Sequence, residues 1–222
     1  MMFIDRQDAG KRLAAAAAAR LGEATHMIVL GLPRGGVIVA EEVARLLHCP
    51  LDVVMVRKIG APGIEELAIG AVGESGALVL NERLIAAAGV SSRYLTHAVD
   101  AARQEVKRRV EAYRAGPRPD VHDKTVVLVD DGIATGYTVE AAIATLRAWG
   151  ARRIVLAVPV APAAAVARFR GLVEDLVVLD APSEFVAVGQ FYENFAQVSD
   201  AEVKAALNEL TARAVQGATT AV

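Results

Sequence analysis

Residues 126–139, VVLVDDGIATGYTV, place two adjacent carboxylates, Asp130 and Asp131, at the end of an apolar run. A glycine, Gly132, and small residues follow at once, with the hydroxyls of Thr135 and Thr138. Two like charges where a buried strand meets water repel each other and lose hydration. A cation would relieve them. So would a vicinal diol that donates a hydrogen bond to each. Just downstream, Ala134-Thr135-Gly136-Tyr137-Thr138 precedes a helical pattern. Its N–H groups, its hydroxyls and the helix N-terminus make a phosphate cradle. A diol site and a phosphate cradle a few residues apart have the shape of a ribose 5-phosphate. For the acidic pair alone, the competing reading is a strand end whose Asp residues cap the next helix. The stretch lacks the Gly-Lys-Ser/Thr ending of a P-loop and the GxGxxG of a dinucleotide site.

Two more stretches carry charge among glycines. Pro33-Arg34-Gly35-Gly36 follows the run MIVLGL, and its glycines permit close backbone approach while Arg34 offers a forked cation. Arg57-Lys58 closes the run LDVVMV and leads into Gly60–Gly63, which reads as a loop. The bland alternatives are a surface arginine on a strand–helix turn and a solvated strand end. Glu65 and Glu66 read as surface charges. His26, His48, His97 and His122 are scattered without metal-ligand spacing.

The elements that must hold these loops follow from periodicity. Apolar runs at Met27–Leu32, Leu51–Val56, Thr125–Asp130, Arg153–Val160 and Asp175–Asp180 read as buried strands. Between them, helical spacing covers Asp5–Leu21, Val37–Leu47, Ser92–Arg114 and Val139–Trp149, a helix joins the last two strands, and another spans Asp200–Arg213. Along Ser92–Arg114, Leu95, Val99, Ala102, Val106, Val110 and Tyr113 share a face, and Glu105–Arg109 is a favourable i,i+4 pair. Segments around Gly73-Glu-Ser-Gly76 read as a hairpin. Strands with few polar positions alternating with helices imply an α/β fold, a mostly parallel twisted sheet with helices on both faces. In such folds ligands sit at the C-terminal ends of strands, where all three odd stretches fall.

At 222 residues the chain is read as one domain, 1–222, with its tail 215–222 frayed. The net charge of −2 supplies no global field for nucleic acid, so an anion site must be local. Cys49 is the sole cysteine, which excludes an internal disulfide, and its neighbours make it a small core residue. No apolar run reaches the roughly 18 residues of a membrane span. The alanine run at 14–19 is bracketed by charges and reads as a helix, not a leader, so the protein is placed in the cytoplasm.

The fourteen residues of the opening stretch resemble the phosphoribosyl diphosphate (PRPP) signature of type I phosphoribosyltransferases. The resemblance implies Asp130 and Asp131 on the ribose hydroxyls, and Gly132 and Ala134, Thr135, Gly136, Tyr137 and Thr138 around the 5-phosphate. It implies Arg34, Gly35 and Gly36 as a pyrophosphate loop, with Arg57 and Lys58 near the same group. Ile59–Ile69 corresponds to the family's mobile loop. Mg²⁺ is the expected cofactor, held by Asp130 and Asp131 directly or through water. The arrangement PRGG…RKIGAPG…ELAIGAV looks like a bacterial subgroup whose acceptor is unsettled. Dimers are common in the family, with Leu78–Leu84 or the long helix as candidate interfaces.

The family's hood would join the N-terminal segment to residues 182–195. That second segment, PSEFVAVGQFYENF, holds three of the five phenylalanines. It loosely resembles the hood of hypoxanthine-guanine phosphoribosyltransferases, which implies Phe185 stacking on a heterocyclic acceptor and the Val186 backbone reading its edge. A plain aromatic minicore is the alternative. Ala134 stands where 6-oxopurine enzymes carry an Asp, which argues against guanine and hypoxanthine. The implied activity is Mg²⁺-dependent transfer of ribose 5-phosphate from PRPP to a nitrogen acceptor such as a nucleobase, with Arg34, Lys58, Asp130 and Asp131 at the reacting centre. A PRPP-binding regulator is the first rival. A PRPP synthetase-like diphosphotransferase is the second, and the chain length counts against it.

Overall fold

The structure, a computed structural model, describes residues 1–22, 26–114 and 116–219, with the backbone alone for residue 66 and residues 210–219. In chain order the elements are α1 (Arg6–Leu21), β1 (Met27–Gly31), α2 (Gly35–Leu47), β2 (Leu51–Val53), β3 (Val56–Ala61), β4 (Ile64–Gly73), β5 (Leu78–Leu80), α3 (Glu82–Ala87) and α4 (Ser92–Tyr113). There follow β6 (Thr125–Val129), α5 (Tyr137–Ala148), β7 (Arg153–Val160), α6 (Ala163–Phe169), β8 (Asp175–Asp180), a 3-10 turn (Val188–Phe191) and α7 (Asp200–Thr219). The last residues of the expected frayed tail, 220–222, lie outside the described residues.

The chain divides into two compact units. The first comprises Met1–Val53, Pro119–Ala134 and the chain from Gly150 onward. Its five strands form an all-parallel sheet in the order β2-β1-β6-β7-β8. Every residue of β1 and β6 is buried, as strands covered on both sides require. On one face, Val29, Val127, Val129, Val155, Ala157 and Val177 pack against Leu13, Ala14 and Ala17 of α1 and Val39, Ala40, Val43 and Ala44 of α2. Each such valine or leucine is worth roughly 1.5–3 kcal/mol when fully buried. On the other face Ile28, Leu30, Val126, Leu128, Ile154 and Leu156 are equally inaccessible. Asp5 caps α1, its side chain accepting from the Asp8 N–H at 2.8 Å.

The second unit, Val54–Arg118 and Thr135–Trp149, holds the antiparallel sheet β3-β4-β5. Ile59, Ala61, Ile69 and Val72 pack there against Val99 and Ala102 of α4. The expected Glu105–Arg109 pair is present at 2.7 Å.

Two expectations are corrected here. The apolar run Leu51–Val56 is not one strand: β2 ends at Val53, and Val56 opens β3 of the other sheet. Arg57 and Lys58 therefore do not end a core strand. They lie within β3, exposed and paired with Val72 and Ala71 of β4. Likewise Ile59–Ile69 is not a loop but the distal part of the β3/β4 hairpin, turning between Ala61 and Ile64. A half-solvated antiparallel hairpin accommodates charged residues within a strand, which a core parallel strand does not.

Candidate functional site

In the first unit, β1 proceeds through α2 to β2 on one side, while β6 neighbours β1 on the other and leads on to β7 and β8. The strand order thus reverses between β1 and β6, where open parallel sheets bind ligands. Gly31 pairs with Val129, and the Leu32 N–H donates to the Val129 carbonyl at 2.9 Å. Pro33-Arg34-Gly35-Gly36 and Asp130-Asp131-Gly132 consequently leave the sheet side by side. The Pro33–Arg34 peptide is cis.

Gly35 and Gly36 are the first residues of α2, which begins two residues before the expected start at Val37. A Cβ on Gly35 would lie 1.9 Å from Asp131 Oδ2, and one on Gly36 would lie 2.9 Å from both Cα and Oδ1 of Asp130. Only glycine lets the start of the helix approach both carboxylates this closely. The positive end of the α2 macrodipole faces them in return.

A largely buried cation compensates the Asp131 charge. Arg6, the first residue of α1, donates from Nε to Asp131 Oδ2 at 2.7 Å, and both side chains are largely buried. Arg6 Nη1 also donates to the Ala196 carbonyl at 2.8 Å, and the guanidinium lies 3.9 Å from the centre of the Phe195 ring. The Tyr192 hydroxyl donates to the Asp131 carbonyl at 2.6 Å. The Asp131 N–H donates to Asp130 Oδ1 at 2.9 Å. Burial pushes the Asp131 carboxyl up from its ordinary range, and Arg6 opposes that shift. Burial likewise raises the Tyr192 phenol, with the Asp131 charge adding to it.

Arg34 stands at the entrance to α2, partly exposed, with Nη1 3.6 Å from Asp200 Oδ1. The two hood segments lie together. The Phe3 N–H donates to the Phe191 carbonyl at 2.8 Å, and the Asn194 N–H to the Ile4 carbonyl at 2.9 Å. Val188 closes over Gly132, where a Cβ would meet its Cγ1 at 2.5 Å. Phe185 is half-buried and stacks on Phe191 at 5.3 Å within a cluster that includes Phe3 and Tyr192. The Val186 N–H donates to Gln190 Oε1 at 2.9 Å, so the backbone donor expected to read an acceptor is engaged within the hood.

The boundary between the units falls inside the signature, after Ala134. In the second unit, Gly136 caps α5 at φ 80°, a left-handed conformation that favours glycine, and Thr135 precedes it, exposed. Helix α5 begins at Tyr137, two residues before the expected start. The Thr138 Oγ1 is buried without a hydrogen-bond partner in its first turn. Arg57 and Lys58 line a cavity of about 490 Å³ with Glu65, Tyr94 and Glu105. Glu105 is held down to about 2 by Arg108 and Arg109. The expectation for Glu65 is met, since it is exposed, whereas the Glu66 side chain lies outside the described residues.

Among the described residues, no three His, Cys, Asp or Glu side chains gather as a metal cage. Asp130 and Asp131 form a pair of hard oxygen donors beside a guanidinium. Such a set suits Mg²⁺ held largely by water and substrate oxygens rather than by an all-protein cage. Cys49 packs against the core, and burial pushes its thiol up to about 11, which removes the thiolate a nucleophile needs.

Arg6 and Tyr192 are the members of this cluster that sequence reasoning does not identify. One signal existed. An arginine opening a helix faces an unfavourable macrodipole and implies an anionic partner elsewhere.

A family model described as a phosphoribosyl transferase domain matches residues 4–192. Proteins from two strains of Mycobacterium tuberculosis, provisionally named phosphoribosyl transferases, are 48% identical over 212 residues, covering 93% of this chain and 46% of theirs. The chain thus spans about half the length of those relatives. The crystal structure of a Thermus thermophilus protein is 46% identical, with a TM-score of 0.78 over 95% of this chain and 99% of its own. A structure from Aquifex aeolicus shares the fold alone, at 12% identity and a TM-score of 0.50 over 79% of this chain and 74% of its own. No helix among the described residues is long and apolar enough to cross a membrane.

Proposed function

The chain belongs to the phosphoribosyl transferase domain family, and from that premise we propose that it transfers the ribose 5-phosphate of PRPP to a nitrogen acceptor and releases pyrophosphate. The observation that carries this reading is the convergence of Asp130, Asp131 and the glycine start of α2 at the point where the strand order reverses. In the reaction, the bond from ribose C1 to the pyrophosphate oxygen breaks, a bond from C1 to the acceptor nitrogen forms, and the proton on that nitrogen leaves to the released pyrophosphate or to water. Positive charge develops on the ribose ring between the first two events.

Asp130 and Asp131 accept from the 2- and 3-hydroxyls and fix the ring. Gly132 and Ala134 lead into the phosphate segment, where Thr135, Gly136, Tyr137 and Thr138 hold the 5-phosphate through backbone N–H groups and hydroxyls. The orphaned Thr138 Oγ1 supports that role, because a bound phosphate oxygen would give it a partner. Arg34, Gly35 and Gly36 receive the pyrophosphate at the helix N-terminus, and the family resemblance assigns Arg57 and Lys58 to the same group. Asp130 and Asp131 would hold Mg²⁺, directly or through water, and that ion would supply charge neutralisation for the leaving pyrophosphate. The acceptor is a planar heterocycle such as a nucleobase, packed on the exposed part of Phe185, with Val186 beside it. Ala134 cannot take the acceptor's proton, so a base that relies on an acidic residue there is disfavoured.

The test is pyrophosphate release from PRPP and Mg²⁺ with a panel of nucleobases and related heterocycles. Acceptor-dependent release is expected. Release with none of them, in a protein that still binds PRPP, would replace the transferase with a PRPP-binding regulator.

A further inference from the structure

Arg6 lies outside every stretch that resembles the family's signature, yet it is fixed at the centre of the site. Its Nε reaches Asp131 Oδ2 at 2.7 Å, its Nη1 reaches the Ala196 carbonyl at 2.8 Å, and its Cζ lies over the Phe195 ring. Tyr192, from the same hood segment, holds the Asp131 carbonyl at 2.6 Å. Below the pair, a Cβ on Gly35 would come within 2.5 Å of Arg6 Nε as well as striking Asp131 Oδ2. Asp131 is thus gripped by the hood above and by the start of α2 beneath.

Stability alone accounts poorly for this arrangement. A cation in the first turn of a helix opposes the macrodipole. A buried ion pair contributes little net stability, since both partners lose hydration. What the geometry supplies is direction. A planar guanidinium that bonds a carboxylate and a carbonyl at once, with its centre 3.9 Å from a ring centre, is held in one orientation, and a lysine cannot reproduce it.

We propose that Arg6 is a positioning residue for the ribose diol: by fixing one oxygen of Asp131 it aims the carboxylate at the vicinal hydroxyls and ties that grip to the hood. The inference rests on the reading of Asp130 and Asp131 as the diol site. It makes the N-terminal helix part of PRPP recognition, and it makes discrimination between ribose and 2-deoxyribose depend on a residue that need not touch the sugar.

The experiment compares calorimetric affinities for ribose 5-phosphate and 2-deoxyribose 5-phosphate in the wild type, Arg6→Lys, Arg6→Ala and Tyr192→Phe, alongside thermal unfolding. The wild type is expected to prefer ribose 5-phosphate by about tenfold, the value of one well-made hydrogen bond. In Arg6→Ala, and in Arg6→Lys if the alanine variant does not fold, the preference falls towards one while 2-deoxyribose 5-phosphate affinity is kept. A folded Arg6 variant that keeps the wild-type preference overturns the inference and leaves the diol site standing. A wild type without any preference overturns the diol site itself.

Discussion

At Asp131 two requirements compete. The carboxylate must be dry enough to be held in one orientation, yet burial favours its neutral form. Arg6 and the N-terminus of α2 reconcile them with fixed charge and dipole. Thr138 shows the opposite economy, a buried hydroxyl left without a partner. An unsatisfied buried polar group costs roughly 1–3 kcal/mol. Thr138→Val should therefore leave thermal stability equal or higher, while calorimetry shows PRPP affinity falling by about tenfold. A loss of stability with unchanged affinity would make the hydroxyl structural. Asp130, Asp131 and the paired glycines are legible in the sequence because each lies within a few residues of a strand end. Arg6 and Tyr192 are not, because they meet Asp131 across 125 and 61 residues of chain. No local periodicity records such a contact.

Among the elements, burial is easier to read than partnership. The runs forming β1, β6, β7 and β8 read as covered strands, and all four lie in the parallel sheet, but only the first three are buried almost throughout; β8, at the edge, buries Val177 alone. The run Leu51–Val56 declares the same burial, and Val54 and Met55 are indeed inaccessible, but the chain changes sheets within it. Hydropathy reports that a residue is dry and not which sheet dries it, so Arg57 and Lys58 could not be placed from sequence. The second unit also contains a contact that its sequence hides. Glu74, in the turn after β4, pairs with Arg114 just beyond α4, both almost wholly buried, and accepts from the Met55 N–H at 3.2 Å. Removing one member of such a pair strands the other charge and costs about 3–5 kcal/mol. Arg114→Met should lower the unfolding free energy extrapolated from urea titration by that amount, and the double variant with Glu74→Leu should recover much of the loss. Equal stability of Arg114→Met and the wild type would refute a structural role for the pair.

At the scale of the whole molecule, the α/β class and its parallel sheet follow from strand composition and alternation with helices. The division into two units does not, because the signature runs without a break through the boundary at Ala134. Hydrophobic pattern marks no seam there, since α5 continues the apolar periodicity that a single domain would show. Family membership rests on most of the chain, residues 4–192, and not on the signature alone. The proposed PRPP site rests on Asp130 and Asp131. The most direct test is calorimetric titration of PRPP, in magnesium-containing buffer, into the wild type and into the double variant Asp130→Asn with Asp131→Asn. Saturable wild-type binding is expected, with a loss of at least about a hundredfold in the double variant, since two charge-assisted contacts are removed. Equal affinity in the two proteins, or no binding to the wild type, would contradict the proposed site.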